Sequence, residues 1–332
     1  MMTWVDGSNP EWRAKRDLYR KDATGRTDAR ERRFRDWDNL RYLFRGIEAY
    51  APWVHHIYII TPGFYPKWLN TASEKITVIN QDDLMPAEFV PTFNNVAIEL
   101  NMHKIPGLSE HFVYFCDDMF INRPVNESDF FVDGLPCDNI GICAMQAKYE
   151  NGIGLYGSDV MSFRIVARQF SKAEIVKKNW RKIYSPKNGK ELIKTITTMP
   201  YRDLTGFSDP HVCYSYLKSS FEEVWSIARD DLMQSCSARF RNEFGAIHWA
   251  MRYWQICNGR VHIRSRRAVK NYEIHTLADA RRAAKHFGKG PHKLICLNDV
   301  IDNEADFPAI KKTVNVAFDK VLPEKCSFEK ND

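Results

Sequence analysis

No stretch of this 332-residue sequence is apolar for the roughly 20 residues that a membrane-spanning helix needs, and no secretory leader opens it. The expectation is therefore a cytoplasmic protein, at most peripheral at the inner face of a membrane. None of the eight cysteines forms a CxxC pair, which argues against a zinc site. Several stand in apolar, strand-like stretches and read as reduced, buried thiols. Charge of one sign is also scarce. Lys and Arg number 48 against 42 Asp and Glu, a net charge of +6. That excess suits small anionic ligands or an anionic membrane surface. It falls short of a nucleic-acid signature, and no DNA or RNA recognition motif is present, so no nucleic acid is expected as a partner. No repeat, low-complexity tract or clear linker divides the chain. One catalytic domain over 1–332 is expected, with three parts: a ligand- and metal-binding half over 1–150, a mainly helical insertion over 151–290, and a strand and helix over 291–332 that return to the core.

What is present is organised around residues 91–120. Asn94 or Asn95 can cap a helix, and Ile98, Met102 and Ile105 follow at helical spacing. Pro106 and Gly107 end it. FVYFC over 112–116 has the composition and length of a buried strand. Asp117 and Asp118 follow directly. In an open α/β sheet, ligands bind at the carboxyl ends of strands. Two adjacent carboxylates there are costly unless water or a cation neutralises them. The pair is either a solvated acidic turn or the seat of a divalent ion carrying a phosphate.

Around this stretch, short apolar strands alternate with helices. Residues 1–5 are a stub of strand before a turn over 6–10, and residues 11–33 read as an exposed helix breaking into a flexible loop around Thr24 and Gly25. Asp36 can cap a helix with an apolar face of Leu40, Phe44, Ile47 and Tyr50. Arg35 and Arg41 flank its start, where phosphates often bind, although helix arginines are also commonly solvated. Strands are expected at 57–61, 76–79, 139–145 and 294–298, and a helix at 307–321. This alternation predicts an α/β fold with a mostly parallel sheet flanked by helices. Residues 152–162 read as a loop, 164–183 as one basic amphipathic helix, and 185–208 as irregular. His211 is expected just before a helix bearing Tyr214, Leu217, Phe221 and Trp225, whose dipole would lower its pKa and favour a neutral base; a lone His can equally be structural. Arg239 and Arg241 bracket Phe240, and residues 247–257 form an aromatic helix read as core.

Taken together, four ordered blocks resemble the Stealth family of hexose-1-phosphate transferases. They are TWVDGSNP over 3–10; a second block from Arg35 and Asp36 through LRY (40–42), Pro52, Trp53, PTFN (91–94) and FCDDMF (115–120); Asp209, Pro210 and His211 with SARFR (237–241); and ICLND (295–299) with FDKVLPEKCSFEK (318–330). The match spans almost the whole chain. Cys116 stands where the family has Asn, Asn95 where it has Ser, and only Met1 and Met2 precede the first block.

The resemblance implies a nucleotide-sugar-binding α/β core similar to the GT-A glycosyltransferase type, with helical insertions. It implies transfer of sugar 1-phosphate from a nucleotide-diphosphate sugar, a UDP-sugar, to a glycan hydroxyl, releasing UMP. In that reading Mg²⁺ or Mn²⁺ sits on Asp117 and Asp118, and His211 is the general base. Arg239 binds phosphate oxygens, with Arg241 or Arg41 as the alternative. Asp6, Gly7 and Asn94 surround the nucleotide, and Asn298 and Asp299 complete the polar floor. Arg239 could instead serve a structural ion pair and Asp299 a helix cap. A glycosyltransferase that releases UDP and a non-catalytic carbohydrate- or nucleotide-binding protein are the competing readings.

Overall fold

The computed structural model describes residues 1–20, 27–28, 31–146 and 154–330. The loop expected around Thr24 and Gly25 lies outside these residues, as do positions 152 and 153 of the loop expected over 152–162. The chain opens with β1 (Met2–Thr3), α1 (Pro10–Leu18), β2 (Thr27–Asp28) and α2 (Leu40–Tyr50). Next come β3 (Ile57–Thr61), β4 (Ile76–Asn80), α3 (Asn95–Leu100), β5 (His111–Tyr114), β6 (Met119–Ile121), β7 (Phe131–Val132) and β8 (Leu135–Asp138). The middle is helical, with α4 (Gly154–Ala167), α5 (Lys172–Ile183) and α6 (Glu191–Thr198). β9 (Tyr214–Leu217), α7 (Lys218–Ile227), α8 (Arg229–Ser237), β10 (Arg241–Asn242) and α9 (Trp249–Cys257) follow. β11 (His262–Ile263), β12 (Val269–Ile274), α10 (Leu277–Ala284), β13 (Leu294–Asp299) and α11 (Phe307–Val321) complete the order.

The expected α/β core with parallel strands is present. β4, β3 and β1 lie side by side and parallel, with Met2 opposite Ile59 and Ile59 opposite Val78. A parallel bridge from Met2 to Phe115 carries the sheet on to the end of β5, and β5 pairs antiparallel with β9. A second sheet joins β12 and β13 in parallel and adds β6 antiparallel. β3 and β13 are continuous apolar runs because the sheets are covered on both faces. α2 buries Leu40, Leu43, Phe44 and Ile47 on one stripe. One contiguous core runs from Met2 to Phe328, with a small aromatic satellite of Trp12, Phe34, Phe93 and Phe240. All eight cysteines are free thiols; Cys116 and Cys143 are partly exposed and the other six buried.

Several local expectations are corrected. Asp36 does not cap α2. The helix starts behind Asn39, after Asp38 takes a left-handed backbone (φ 53°), and Asp36 accepts the Asp38 N–H at 3.0 Å. His211 precedes a strand, not a helix: aromatic Tyr214 and Tyr216 extend to pair with β5, and α7 begins only at Lys218. The expected dipole of a helix directly following His211 is therefore absent. The basic helix over 164–183 is two helices, broken where Ser171 and Glu174 form a capping box that starts α5. The stretch over 185–208 contains α6, whose Thr195 and Thr198 hydroxyls bond back to Glu191 and Lys194 carbonyls at 3.0 and 2.9 Å. α4 occupies the stretch expected as loop from 154 on, and its Gly157 lets the helix lie directly against the Glu243 carbonyl. In 139–145 no strand forms among the described residues; Ile142 makes an isolated bridge to Phe207, and β8 lies just upstream.

Candidate active site

The carboxyl ends of β1, β3, β5 and β13 open into one cleft of about 250 Å³. Residues 32–37 and 39 form one wall, Thr92, Phe93 and Asn95 a second, and residues 211, 214, 241 and 247–249 the third. Its lining is rich in acids: Asp36, Glu99, Asp117, Asp118 and Asp299. Burial pushes the Asp117 carboxyl well up, and Asp118, Asp36 and Asp299 add repulsion. Burial also raises Asp118, which the His211 charge partly opposes. Asp118 Oδ2 accepts from the Cys296 thiol at 3.3 Å, while its buried Oδ1 has no hydrogen-bond partner. An orphaned carboxylate oxygen amid like charges is what a cation would satisfy. The residues thus fit a divalent ion. Among the described residues, Asp118, His211 and Cys296 bring donor atoms within 4.8 Å of one another. Their oxygen, nitrogen and sulfur donors can also accommodate ions softer than Mg²⁺.

His211 faces this acid with a left-handed backbone (φ 47°). Its Nδ1 lies 3.3 Å from Asp209 Oδ2. Asp209 also accepts from the Tyr214 hydroxyl at 3.0 Å, and Tyr214 in turn accepts from Trp249 Nε1 at 3.2 Å. Burial would raise the Asp209 carboxyl, yet bonded His211 and nearby Arg252 bring it down to about 2. Burial would lower the His211 imidazole, but Asp209 and then Asp118 raise it on balance. Arg252 holds the segment in place. Completely enclosed, it grips Asp138 through Nε at 2.6 Å and Nη2 at 3.1 Å, and Nη2 also donates to the Ser208 carbonyl at 3.0 Å.

A second group lies deeper. Glu99 accepts from the Tyr114 hydroxyl at 2.8 Å and the Asn95 amide at 3.0 Å. Burial raises its carboxyl to about 7 against these bonds and the Arg241 charge. His248 Nε2 stands 3.8 Å from Glu99, its Nδ1 is 2.6 Å from the Tyr216 hydroxyl, and burial lowers the imidazole to about 3. Glu99 therefore changes charge near neutrality while His248 stays neutral.

Of the residues anticipated from sequence, Asp117, Asp118, His211, Arg241, Asn298 and Asp299 line the cleft. Asp299 is held by Arg35 in a two-point contact, Nε at 2.7 Å and Nη2 at 3.0 Å, and by Trp37 Nε1 at 3.0 Å. It therefore ties loop 32–39 to β13. Arg239, Arg41, Asn94, Asp6 and Gly7 are not among the lining residues. Arg239 donates to the Pro91 carbonyl at 2.7 Å and lies over the Tyr19 ring. Arg41 pairs with Asp38 and covers Trp68. Asn94 caps α3 and donates to the Ala238 carbonyl at 3.0 Å, fastening α3 to the end of α8. Asp6 accepts the Ser8 N–H at 2.8 Å within its turn. Gly7 donates to the Phe34 carbonyl at 2.7 Å, and a Cβ there would stand 2.6 Å from that oxygen. The sequence reading missed Asp209, Tyr214, Glu99 and His248 as site residues. For Glu99 a signal existed, a lone acid inside the otherwise apolar VAIEL over 96–100.

Comparison with known proteins finds one of the four blocks, the second, as a family model, and relatives along nearly the whole chain. The profile described as Stealth protein CR2, conserved region 2, matches residues 33–137. Exopolysaccharide phosphotransferase cps2G of Lactiplantibacillus plantarum is 36% identical over 99% of this chain and 95% of its own. Capsular polysaccharide phosphotransferase WcwK of Streptococcus pneumoniae is 37% identical over 99% and 97%. Receptor polysaccharide phosphotransferase WefC of Streptococcus oralis is 33% identical over 99% and 98%. Among solved structures, galactosyltransferase LgtC in complex with donor and acceptor sugar analogs is similar over 84% of this chain and 92% of that one, at 12% identity and a TM-score of 0.37. Mouse xyloside xylosyltransferase 1 is similar over 90% and 96%, at 12% identity and a TM-score of 0.35. The chain belongs to the Stealth family and is an enzyme, a transferase of the polysaccharide phosphotransferase kind.

Proposed function

We propose that this enzyme transfers sugar 1-phosphate from a UDP-sugar to a hydroxyl of a capsular or other cell-surface glycan, releasing UMP. The observation that supports the reading is the meeting of Asp118, with its unpartnered oxygen, and a carboxylate-backed His211 at the strand-end cleft. The acceptor oxygen attacks the β-phosphorus in line with the bridging oxygen to the α-phosphate. That bridging P–O bond breaks, and its electrons leave with UMP. His211 Nε2 takes the acceptor proton, while Asp209 on Nδ1 fixes the tautomer and stabilises the imidazolium formed. Arg241 supplies the planar fork for phosphate oxygens. Asp118 and Asp117 would hold Mg²⁺ or Mn²⁺, which neutralises pyrophosphate charge when bound. Asn298 contacts the donor, and Asp299 acts through Arg35. Arg239, Asn94 and Gly7 support the walls.

The test is the nucleotide released. A purified preparation given a panel of UDP-sugars and glycan acceptors should yield UMP, with a phosphodiester signal in the phosphorus NMR of the product. Stoichiometric UDP with a phosphate-free product would overturn the proposal in favour of glycosyl transfer.

A further inference from the structure

α5 and α6 form a helical hairpin whose outward face is built the wrong way round for water. Lys172 Nζ closes its open end by donating to the Thr198 and Met199 carbonyls at 3.3 and 2.8 Å. The other end is closed by Asn188, whose amide donates to the Lys182 and Ile183 carbonyls. On α6 the polar Thr195 and Thr198 are buried, while Ile193 and Ile196 are 68% and 56% exposed. α5 turns Ile175, Asn179 and Ile183 inward, and the Asn179 amide bonds the α9 carbonyl of Ile256 at 2.9 Å. Its outward stripe presents Trp180 and Tyr184, 54% and 43% exposed. Tyr201, just past α6, is 62% exposed.

Cations surround these apolar groups. Residues 168–202 hold ten Lys and Arg against two Glu, more positive excess than the +6 of the entire chain. The remainder of the protein is therefore net acidic, and the positive field is concentrated on this stretch. Lys177, Arg181, Lys190 and Lys194 are exposed on or beside the apolar stripes.

We propose that the outer face of the α5–α6 hairpin is a docking surface for an anionic lipid bilayer. Exposed Trp and Tyr of α5 and Ile of α6 enter the headgroup–acyl boundary, and the Lys and Arg beside them meet anionic headgroups. A second copy of the same face would bring like charges together, so charge selects the bilayer over self-association. The proposal does not depend on the chemistry assigned to the cleft.

The test is co-sedimentation of the full chain with vesicles of phosphatidylcholine containing about a third phosphatidylglycerol, against pure phosphatidylcholine. Wild type should sediment with the anionic vesicles only, and less at high salt. Two triple variants probe the face: Trp180→Ser with Ile193→Ser and Ile196→Ser, and Lys177→Glu with Lys190→Glu and Lys194→Glu. Each should lower vesicle binding by about tenfold or more, with circular dichroism and turnover of a soluble acceptor unchanged. Failure of wild type to sediment with anionic vesicles would overturn the proposal. So would equal binding to neutral vesicles, binding that survives both variants, or variants that change only the oligomeric state.

Discussion

Replacing His211 by Gly should separate catalysis from stability. Its left-handed backbone costs a non-glycine residue about 1–2 kcal/mol, which Gly would recover. Against that, the Asp209 contact at 3.3 Å is lost, a hydrogen bond to a charged group with a net value of about 1.5–3 kcal/mol. Asp209 keeps its Tyr214 bond, so its charge is not abandoned. Extra chain freedom in the unfolded state costs a further ~0.5–1 kcal/mol. These terms leave a net loss of about 1–2 kcal/mol, which in a chain of this length lowers Tm by only about 1–3 °C. The loss of a general base, by contrast, should slow turnover about 10²–10⁴-fold, or about 3–5 kcal/mol of barrier. His211→Asn provides the control, because Asn tolerates the same backbone and its amide can still donate to Asp209, yet it cannot accept the proton. Calorimetric unfolding, donor binding and UMP release measured on the same preparations give the three readouts. An unfolded His211→Gly, or turnover within about tenfold of wild type, would refute the assignment.

Three other perturbations probe the neighbouring groups. Chelation should abolish turnover and Mg²⁺ or Mn²⁺ should restore it, while Asp118→Asn should remain folded, inactive and no longer raised in Tm by the ion; full activity in chelator would exclude the metal. Burial holds Glu99 protonated up to about 7, so wild type loses stability as pH rises from its unfolded value near 4.5 through that window. Glu99→Gln escapes this and should gain up to about 3 kcal/mol on wild type between pH 5 and 8, read from denaturant midpoints; a constant difference would show that Glu99 does not titrate there. Arg252→Met leaves Asp138 buried and unpaired and should cost about 3–5 kcal/mol, whereas adding Asp138→Asn should restore part of it; additive losses would mean the pair does not act as a unit.

Much of the frame was legible because it is local. The apolar runs at 57–61 and 294–298 read as buried strands and fold as such, and the acids that follow FVYFC stand just beyond β5. Asn94, one of two caps the sequence offered, caps α3, but that helix stops at Leu100 with Asn101 as its C-cap instead of running through Ile105 to Pro106; the helix over 307–321 has its expected bounds. The misreadings were of segments whose local signal was weak. The polar 185–208 hid α6 because its threonines satisfy themselves within the helix. Tyr214 and Leu217 suit one turn of helix, while Tyr214 and Tyr216 equally suit alternate positions of a strand, and the β5 partner decides for the strand.

By itself, then, the sequence determined the class of fold, the family and the identity of the two acids, the histidine and the arginines. Only the tertiary structure decided which of them meet. Arg239 and Arg241 are two residues apart, yet one braces Pro91 and the other enters the cleft. Asp209 and His211 are neighbours in sequence, but Arg252 and Tyr214 determine how they face Asp118. Glu99 acquires its near-neutral titration from burial in the folded chain, against the opposing pull of the Tyr114 and Asn95 bonds. The reason is physical. Strand and helix signals arise from side chains a few positions apart, whereas desolvation and charge pairing depend on distances that only the folded chain sets.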